Sequence, residues 1–307
     1  DPRSDPSDPK SRLPAGLGWS LAFTPSLAAV SRWFPRRRAL ATGLAVSGAA
    51  VSGPALSPLV PLALDAFGWR GALLLLAAVS LHMVAAGALL RPPRAETEPT
   101  EPPGPSPGGL RRLLRHRPFL RYAAAFALLD AGYYVPFVHG AARALELGHG
   151  PGAAGLLTAV TAAADGSGRL LSGCLAARPG AALTAHLALW AALTAAAAML
   201  LPLGRGLAAL GTLWAAFGLC AGAVAPLQFA GVAQVVGAGR EGLALGLMQM
   251  VESVGSLLGP PLAGWLRDVT GDFGLSFVVA GAFLTASTLL ILTVPPAPPR
   301  RPPKSPL

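Results

Sequence analysis

GAAGLLTAVTAAADGSGRLLSGCL, residues 152–175, is an apolar run that carries two charges, Asp165 and Arg169. About 20 apolar residues in a helix span the hydrocarbon core of a bilayer, so this run is long enough to cross one. Four residues is about one helical turn, which puts the two side chains on one face where they can pair. A charge at mid-bilayer costs roughly 2.5–3.5 kcal/mol on insertion scales, so such residues face a partner or a polar cavity. Two readings follow from the residues themselves: a structural ion pair that fixes helix packing, or a pair that binds and moves charge.

Working outward, similar runs recur along the whole chain. Its 307 residues are 53% hydrophobic and only 12% charged, against about a quarter charged in soluble domains. Apolar length and flanking charge predict an all-α polytopic membrane protein with about nine spans. They run Ala15–Phe34, Ala41–Leu64, Trp69–Leu90, Phe119–His139, Gly152–Leu175, Ala181–Leu203, Leu207–Val236, Gly242–Leu266 and Phe273–Val294. Residues 1–14 form a polar N-terminal segment, and 15–90 hold three helices. Residues 91–118 are a linker, 119–294 a group of six helices, and 295–307 a tail. The linker's middle, ETEPTEPPGPSPGG, cannot bury a core. Its end, RRLLRHR, reads as a short basic helix at the membrane surface.

The formal charge of +10 would suggest nucleic acid in a soluble domain. Here the basic residues sort by loop instead. Arg36, Arg37, Arg38, the linker, Arg178, Arg240, and Arg300, Arg301 and Lys304 fall on one side of the membrane. Arg70, Arg143, Arg205 and Arg267 fall on the other. The positive-inside rule therefore puts the linker and C-terminus in the cytoplasm and removes the reason to expect nucleic acid.

Prolines within the spans (Pro54, Pro58, Pro61, Pro136 and Pro226) are tolerated in membranes where neighbouring groups satisfy the freed carbonyls. Gly218/Gly222, Gly242/Gly246 and Gly255/Gly259 have the spacing that lets helices pack closely. Cys174 and Cys220 suggest neither a disulfide framework nor a metal site. His82 and His186 lack ligand-spaced partners, so no metal is expected. No asparagine occurs, hence no N-glycosylation acceptor. The chain opens DPRSDPSDPK, without methionine or a signal-peptide pattern, and is expected to be incomplete at its N-terminus.

Several longer motifs then resemble one family, in order. RWFPRRRALATGLAVSGAAVSGPALSPL and FGWRGALLLLAAVSLHMVAAGALLRPP resemble the fourth to sixth helices of the monocarboxylate transporters of the major facilitator superfamily. HRPFLRYAAAFALLDAGYYVPFVH, ADGSGRLLSG, LGLMQMVESVGSLLGPPLAGWLRDVTGDF and SFVVAGAFLTASTLLILTVP continue the likeness from about Ala15 to Pro295. The resemblance implies a twelve-helix fold in two halves, of which about nine helices are present and the first three absent. It implies a secondary transporter of small monocarboxylates, with proton symport by alternating access, at the plasma membrane. No cofactor is implied. A single-span immunoglobulin-type chaperone is a family expectation for a partner, beside substrate, proton and lipid bilayer.

By the same resemblance, Arg169 would bind the substrate carboxylate and Asp165 would take part in proton transfer. Guanidinium matches carboxylate in a bidentate geometry and stays charged, so a substrate arriving at Arg169 changes the surroundings of Asp165. Phe229, in PLQFAGVAQVVG, aligns with a phenylalanine that shapes the substrate cavity. The family's first-helix lysine has no counterpart to map.

Other polar residues have blander readings beside the functional ones. Glu252 sits mid-span and suits gating or a structural hydrogen bond. Asp130 reads as a cavity-facing polar residue. Tyr133 and Tyr134 either line the cavity or pack at an interface. His139 ends its span near the outer surface as an ordinary interfacial histidine. Arg36–Arg38 read as topology and headgroup contact, and Arg267 with Asp268 as a loop salt-bridge network.

The alternatives to monocarboxylate transport are a truncated, non-transporting membrane interaction protein and a transporter of a different organic anion. An enzyme is not expected. The one GxSxG string, GPSPG at 104–108, lies in the proline-rich linker and not on a strand-to-helix elbow, and the chain has no phosphate-loop spacing and no metal-ligand cluster.

Overall fold

The computed structural model describes residues 9–35, 37–56, 59–90, 109–178, 182–237 and 240–295. Arg36, Pro58, Arg300, Arg301, Lys304, the middle of the linker and the first eight residues lie outside the described residues.

The first group of helices is α1 (Pro9–Trp33), α2 (Arg38–Leu56), α3 (Leu59–Ser80) and α4 (His82–Leu89). A surface helix, α5 (Gly109–Leu114), follows the linker and buries Leu113 while carrying Arg111 and Arg112. The second group is α6 (Arg117–Glu146), α7 (Pro151–Ala176), α8 (Leu183–Leu200), α9 (Leu207–Val236), α10 (Glu241–Thr270) and α11 (Gly274–Leu292). Every regular element among the described residues is a helix, with no strand among them.

Five segments are long and apolar enough to cross a membrane by composition alone: Leu59–Leu89, Leu183–Leu203, Leu207–Val236, Glu241–Thr270 and Gly274–Leu292. The remaining long helices, α1, α2, α6 and α7, hold 25, 19, 30 and 26 residues. On α6 and α7 the apolar average is diluted by polar residues that turn inward, among them Asp165 on α7 and Arg143 on α6. Polar groups in such helices belong on the protein side, leaving the leucine-rich faces for lipid.

The second and third expected spans divide differently in the structure. Ala41–Leu64 is shared between α2, which ends at Leu56, and α3, which starts at Leu59. The turn toward the third passage falls at Gly68, with φ 65° and ψ 177°. A side chain is strained at positive φ, and glycine has none. Asp65 and Arg70 interrupt the apolar run here, and the bend falls inside the break expected between Leu64 and Trp69.

Lipid tails are as apolar as leucine, so close packing takes over from hydrophobic burial in holding membrane helices together. The small residues do this here. On α9, Gly218 and Gly222 lie against the backbones of Thr161 and Asp165 on α7. On α10, Gly255 and Gly259 lie against Ala127 and Ala131 on α6. Gly43 of α2 sits under the carbonyl of Arg169, which locks α2 onto α7. By contrast, Gly242 and Gly246 have nothing within 4 Å, so that glycine pair makes no helix contact among the described residues. Spacing shows where a close approach is permitted; only a facing helix makes one.

Beyond their pairing within the first group, α1 contacts α9 and α10, and α2 contacts α7 and α9. These contacts make the seam on which the charged pair lies.

Candidate functional site

Arg169 and Asp165 are joined on one face of α7, with Arg169 Nε donating to Asp165 Oδ2 at 2.7 Å. Arg169 Nη1 also donates to the main-chain carbonyl of Val46 on α2 at 2.9 Å. One guanidinium thus ties its own helix to a helix of the first group. Asp165 Oδ1 accepts a long hydrogen bond of 3.4 Å from the Tyr133 hydroxyl on α6. The side chains of Asp165 and Arg169 are 7% and 16% exposed, so the pair is sheltered without being sealed.

Helical spacing puts Asp130, Tyr133, Tyr134 and Phe137 along one side of α6. Tyr133 meets Tyr134 edge to face at 5.1 Å between ring centroids and Phe137 at 5.2 Å. Across from them on α10, Glu252 is 6% exposed and accepts a hydrogen bond from Gln228 Nε2 of α9. Asp130 lies within electrostatic reach of Glu252, and Tyr134 within reach of Asp130, Glu252, Arg169 and Asp165 together.

Phe229 follows Gln228 on α9 and meets Phe23 of α1 edge to face at 5.7 Å. Phe23 in turn stacks on Trp19 at 5.4 Å. One aromatic cluster is therefore shared by the two groups of helices. Beside it, Thr24 of α1 donates to Gln249 Oε1 of α10 at 2.6 Å.

The structure thus brings Asp130, Tyr133, Tyr134, Asp165, Arg169 and Glu252 into one neighbourhood, while Phe229 packs against Phe23 of α1. Three contributors were not legible beforehand: Gln228, the Thr24–Gln249 bond and the Val46 carbonyl. Gln228 could have been found, because a polar residue in the middle of an apolar span carries the same signal that singled out Glu252. A backbone carbonyl carries no sequence signal at all.

Two further ion-pair sites mark the ends of the bundle. Arg38 Nη2 pairs with Glu241 Oε1 at 2.7 Å, and Arg38 Nε donates to the Ser31 carbonyl at 3.1 Å, joining α2, α10 and the end of α1. This gives Arg38 a specific partner beyond the topological role read from the sequence. At the opposite end Arg267 binds Glu146 at 2.8 Å and Asp268 at 3.3 Å. Arg143 reaches Glu146 at 3.7 Å and Asp272 at 3.5 Å. A cavity of about 540 Å³ opens beside this network, lined by Ala142, Glu146, Gly264, Arg267, Asp268 and Phe273. His139 Nε2 lies 3.0 Å from the Pro260 carbonyl, and its ring stacks on Phe273. Among the described residues no group of His, Cys, Asp or Glu is arranged to hold a metal ion.

Residues 11–211 and 123–307 each match the Major Facilitator Superfamily. The chain is 46% identical over 283 residues to monocarboxylate transporter 13 of Rattus norvegicus, covering 92% of this chain and 66% of that protein. It is 43% identical over 297 residues to monocarboxylate transporter 11 of Mus musculus, covering 93% of this chain and 66% of that protein. The chain therefore spans about two-thirds of the length of these curated relatives. Its fold is similar to a variant of the E. coli fucose:proton symporter FucP, with a TM-score of 0.69, 18% identity, and coverage of 89% and 73% of the two chains. An all-helical bundle, an intramembrane ion pair on the seam and these kinships agree: the chain belongs to the Major Facilitator Superfamily, and its curated relatives there are monocarboxylate transporters.

Proposed function

We propose that this chain carries small monocarboxylates across the plasma membrane, in symport with a proton. The observation that carries the reading is the placing of Arg169. Its guanidinium sits on the seam between the two helix groups, bonded to Asp165 of α7 and to Val46 of α2. An anion arriving there would take over donors that now serve both partners, loosening the tie between α7 and α2. That is a direct physical link between binding and the rocking of two halves about a midplane site.

In this scheme Arg169 binds the carboxylate, Asp165 receives or releases the proton, and Phe229 forms part of the cavity wall. Asp130, Tyr133, Tyr134 and Glu252 line or gate the cavity. Residues 15–90 and 119–294 belong to the two halves, joined by a cytoplasmic linker at 91–118, with a cytoplasmic tail at 295–307. A single-span immunoglobulin-type protein would accompany the carrier to the cell surface. The names of the curated relatives support the substrate class.

The test is uptake of labelled lactate and pyruvate into proteoliposomes under an inward proton gradient. The chain would be reconstituted as it stands and behind the first three helices of a relative, each with and without Arg169→Ala. Gradient-driven uptake that disappears in the alanine variant supports the proposal. A folded protein that moves neither substrate, but does move another organic anion, would redirect it. One that moves no anion at all would leave a membrane interaction protein and a structural ion pair.

A further inference from the structure

GLRRLL, the whole of α5, sorts its side chains by face. Leu110, Leu113 and Leu114 fall on one arc of the helix, with Arg111 and Arg112 on the other. The apolar arc is itself divided. Leu113 is 1% exposed, whereas Leu110 and Leu114 are 50% and 47% exposed. One leucine thus anchors α5, which packs on α6, and two more point outward.

The charge continues into α6. Arg115 and Arg117 flank His116, whose Nδ1 accepts from the Phe119 amide and caps the helix. Arg121 lies one turn beyond Arg117, with the exposed Leu120 beside it. Five arginines therefore fall within residues 111–121, and no acid occurs between 109 and 129. Among the described residues none of the five has an ion pair. Arg121 alone has a side-chain hydrogen bond, to the Thr293 carbonyl. By contrast Arg38 is matched by Glu241, and Arg267 by Glu146.

Orientation in the membrane accounts for basic residues on this side. It does not call for an ordered helix that sets half-exposed leucines beside unmatched arginines. That pattern suits an element lying in the headgroup layer, its leucines among acyl chains and its arginines among phosphates. A guanidinium takes a phosphate in a bidentate grip, and several of them together favour a headgroup with more than one phosphate.

We propose that α5 and the first turn of α6 bind a phosphoinositide of the leaflet that faces the linker. Its phosphates lie on Arg111, Arg112, Arg115 and Arg117, and its acyl chains lie against Leu110 and Leu114. This surface is separate from the charged pair on α7, and its occupation is read without any measurement of transport.

The experiment is fluorescence anisotropy of a dye-labelled dioctanoyl phosphatidylinositol bisphosphate, titrated with the detergent-solubilised chain. Competitors are the unlabelled lipid, dioctanoyl phosphatidylserine, and inositol trisphosphate, which has the headgroup phosphates and no acyl chains. We expect saturable binding that the unlabelled lipid displaces at least about tenfold better than either other competitor. Arg111→Gln with Arg112→Gln, and separately Arg115→Gln with Arg117→Gln, should each weaken binding at least about tenfold. Arg70→Gln with Arg205→Gln removes as much charge from the opposite side of the membrane and should leave the affinity unchanged.

Equal displacement by phosphatidylserine would reveal a general cationic surface, and equal displacement by inositol trisphosphate a site for soluble phosphates. Either result overturns the inference. So does an absence of binding, an affinity unmoved in both arginine pairs, or an equal loss in the opposite-side pair. The two arginine pairs are read separately, so one that fails to fold leaves the other to decide. Should neither fold, the ranking of competitors on the unaltered chain decides alone.

Discussion

Gly222 on α9 lies so close to Asp165 on α7 that a Cβ at position 222 would run into the aspartate's own main chain. The charged pair is thus positioned by the absence of a side chain on the neighbouring helix. Gly218 and Thr161 repeat the contact one turn away.

Gly222→Ala should therefore force α7 and α9 apart. Overpacking of this kind costs about 1–3 kcal/mol, occasionally more. Thermal unfolding in detergent should show a lower midpoint, whereas Gly246→Ala, where nothing lies within 4 Å, should leave it unchanged or raise it slightly, because alanine favours a helix over glycine. Equal midpoints for the two variants would mean that the α7–α9 contact is not a close one.

Arg169→Lys keeps the charge but loses the planar fork that reaches Asp165 and Val46 together. Uptake of a monocarboxylate should drop by at least about tenfold, nearly as far as in Arg169→Ala. A lysine variant with near-normal uptake would show that a point charge suffices and that the bond to Val46 is incidental.

Asp165→Asn keeps the shape and a hydrogen-bonding group while removing the titration. If Asp165 carries the coupled proton, uptake by the unaltered protein rises as the external pH is lowered, and the variant's uptake becomes flat with pH. The slope of initial rate against external pH decides the matter, and an unaltered slope takes Asp165 out of the proton path.

Arg38 and Glu241 join the two helix groups at one end of the bundle. A charged hydrogen bond of this kind contributes about 1.5–3 kcal/mol. Glu241→Gln and Arg38→Gln should each destabilise by roughly that amount, and the double variant by less than their sum. A double-mutant cycle on unfolding midpoints measures the shortfall; strict additivity would make the pair decorative.

Phe229 and Phe23 meet edge to face from opposite helix groups. If Phe229 forms part of the substrate cavity's wall, as proposed, Phe229→Ala should admit bulkier carboxylates relative to lactate. Competition for uptake by branched and unbranched acids would reveal the shift, and an unchanged ranking would place the ring outside the substrate path.

How much of this was legible in the sequence depended on the kind of signal. The pairing of Asp165 with Arg169 follows from charge, spacing and helical period, and the structure gives it a 2.7 Å bond. Apolar length located α7 to α11 within a few residues, because lipid sets that length directly, but it stopped α6 at His139 whereas the helix runs on to Glu146. The bend at Gly68 falls in the expected break between Leu64 and Trp69, which Asp65 and Arg70 mark, whereas the same signal ran the second span past the end of α2 at Leu56. It also could not tell Gly242/Gly246 from Gly255/Gly259, since a glycine pair reads alike whether or not a helix faces it. Partners distant in sequence, such as Thr24 with Gln249, stay hidden because each is an ordinary polar residue until the helices meet.

One feature of α10 bears on how the whole bundle can move. Pro260 and Pro261 stand side by side within it, so two successive amides are missing from its spine. The carbonyls of Ser256 and Leu257 are left without their usual donors. Arg38 grips the helix at Glu241 on one side of that joint, while Glu146 grips it at Arg267 on the other. The two ends of this helix, one held to α2 and the other to α6, are therefore joined through a stretch short of two main-chain bonds, where bending costs less than along an unbroken spine.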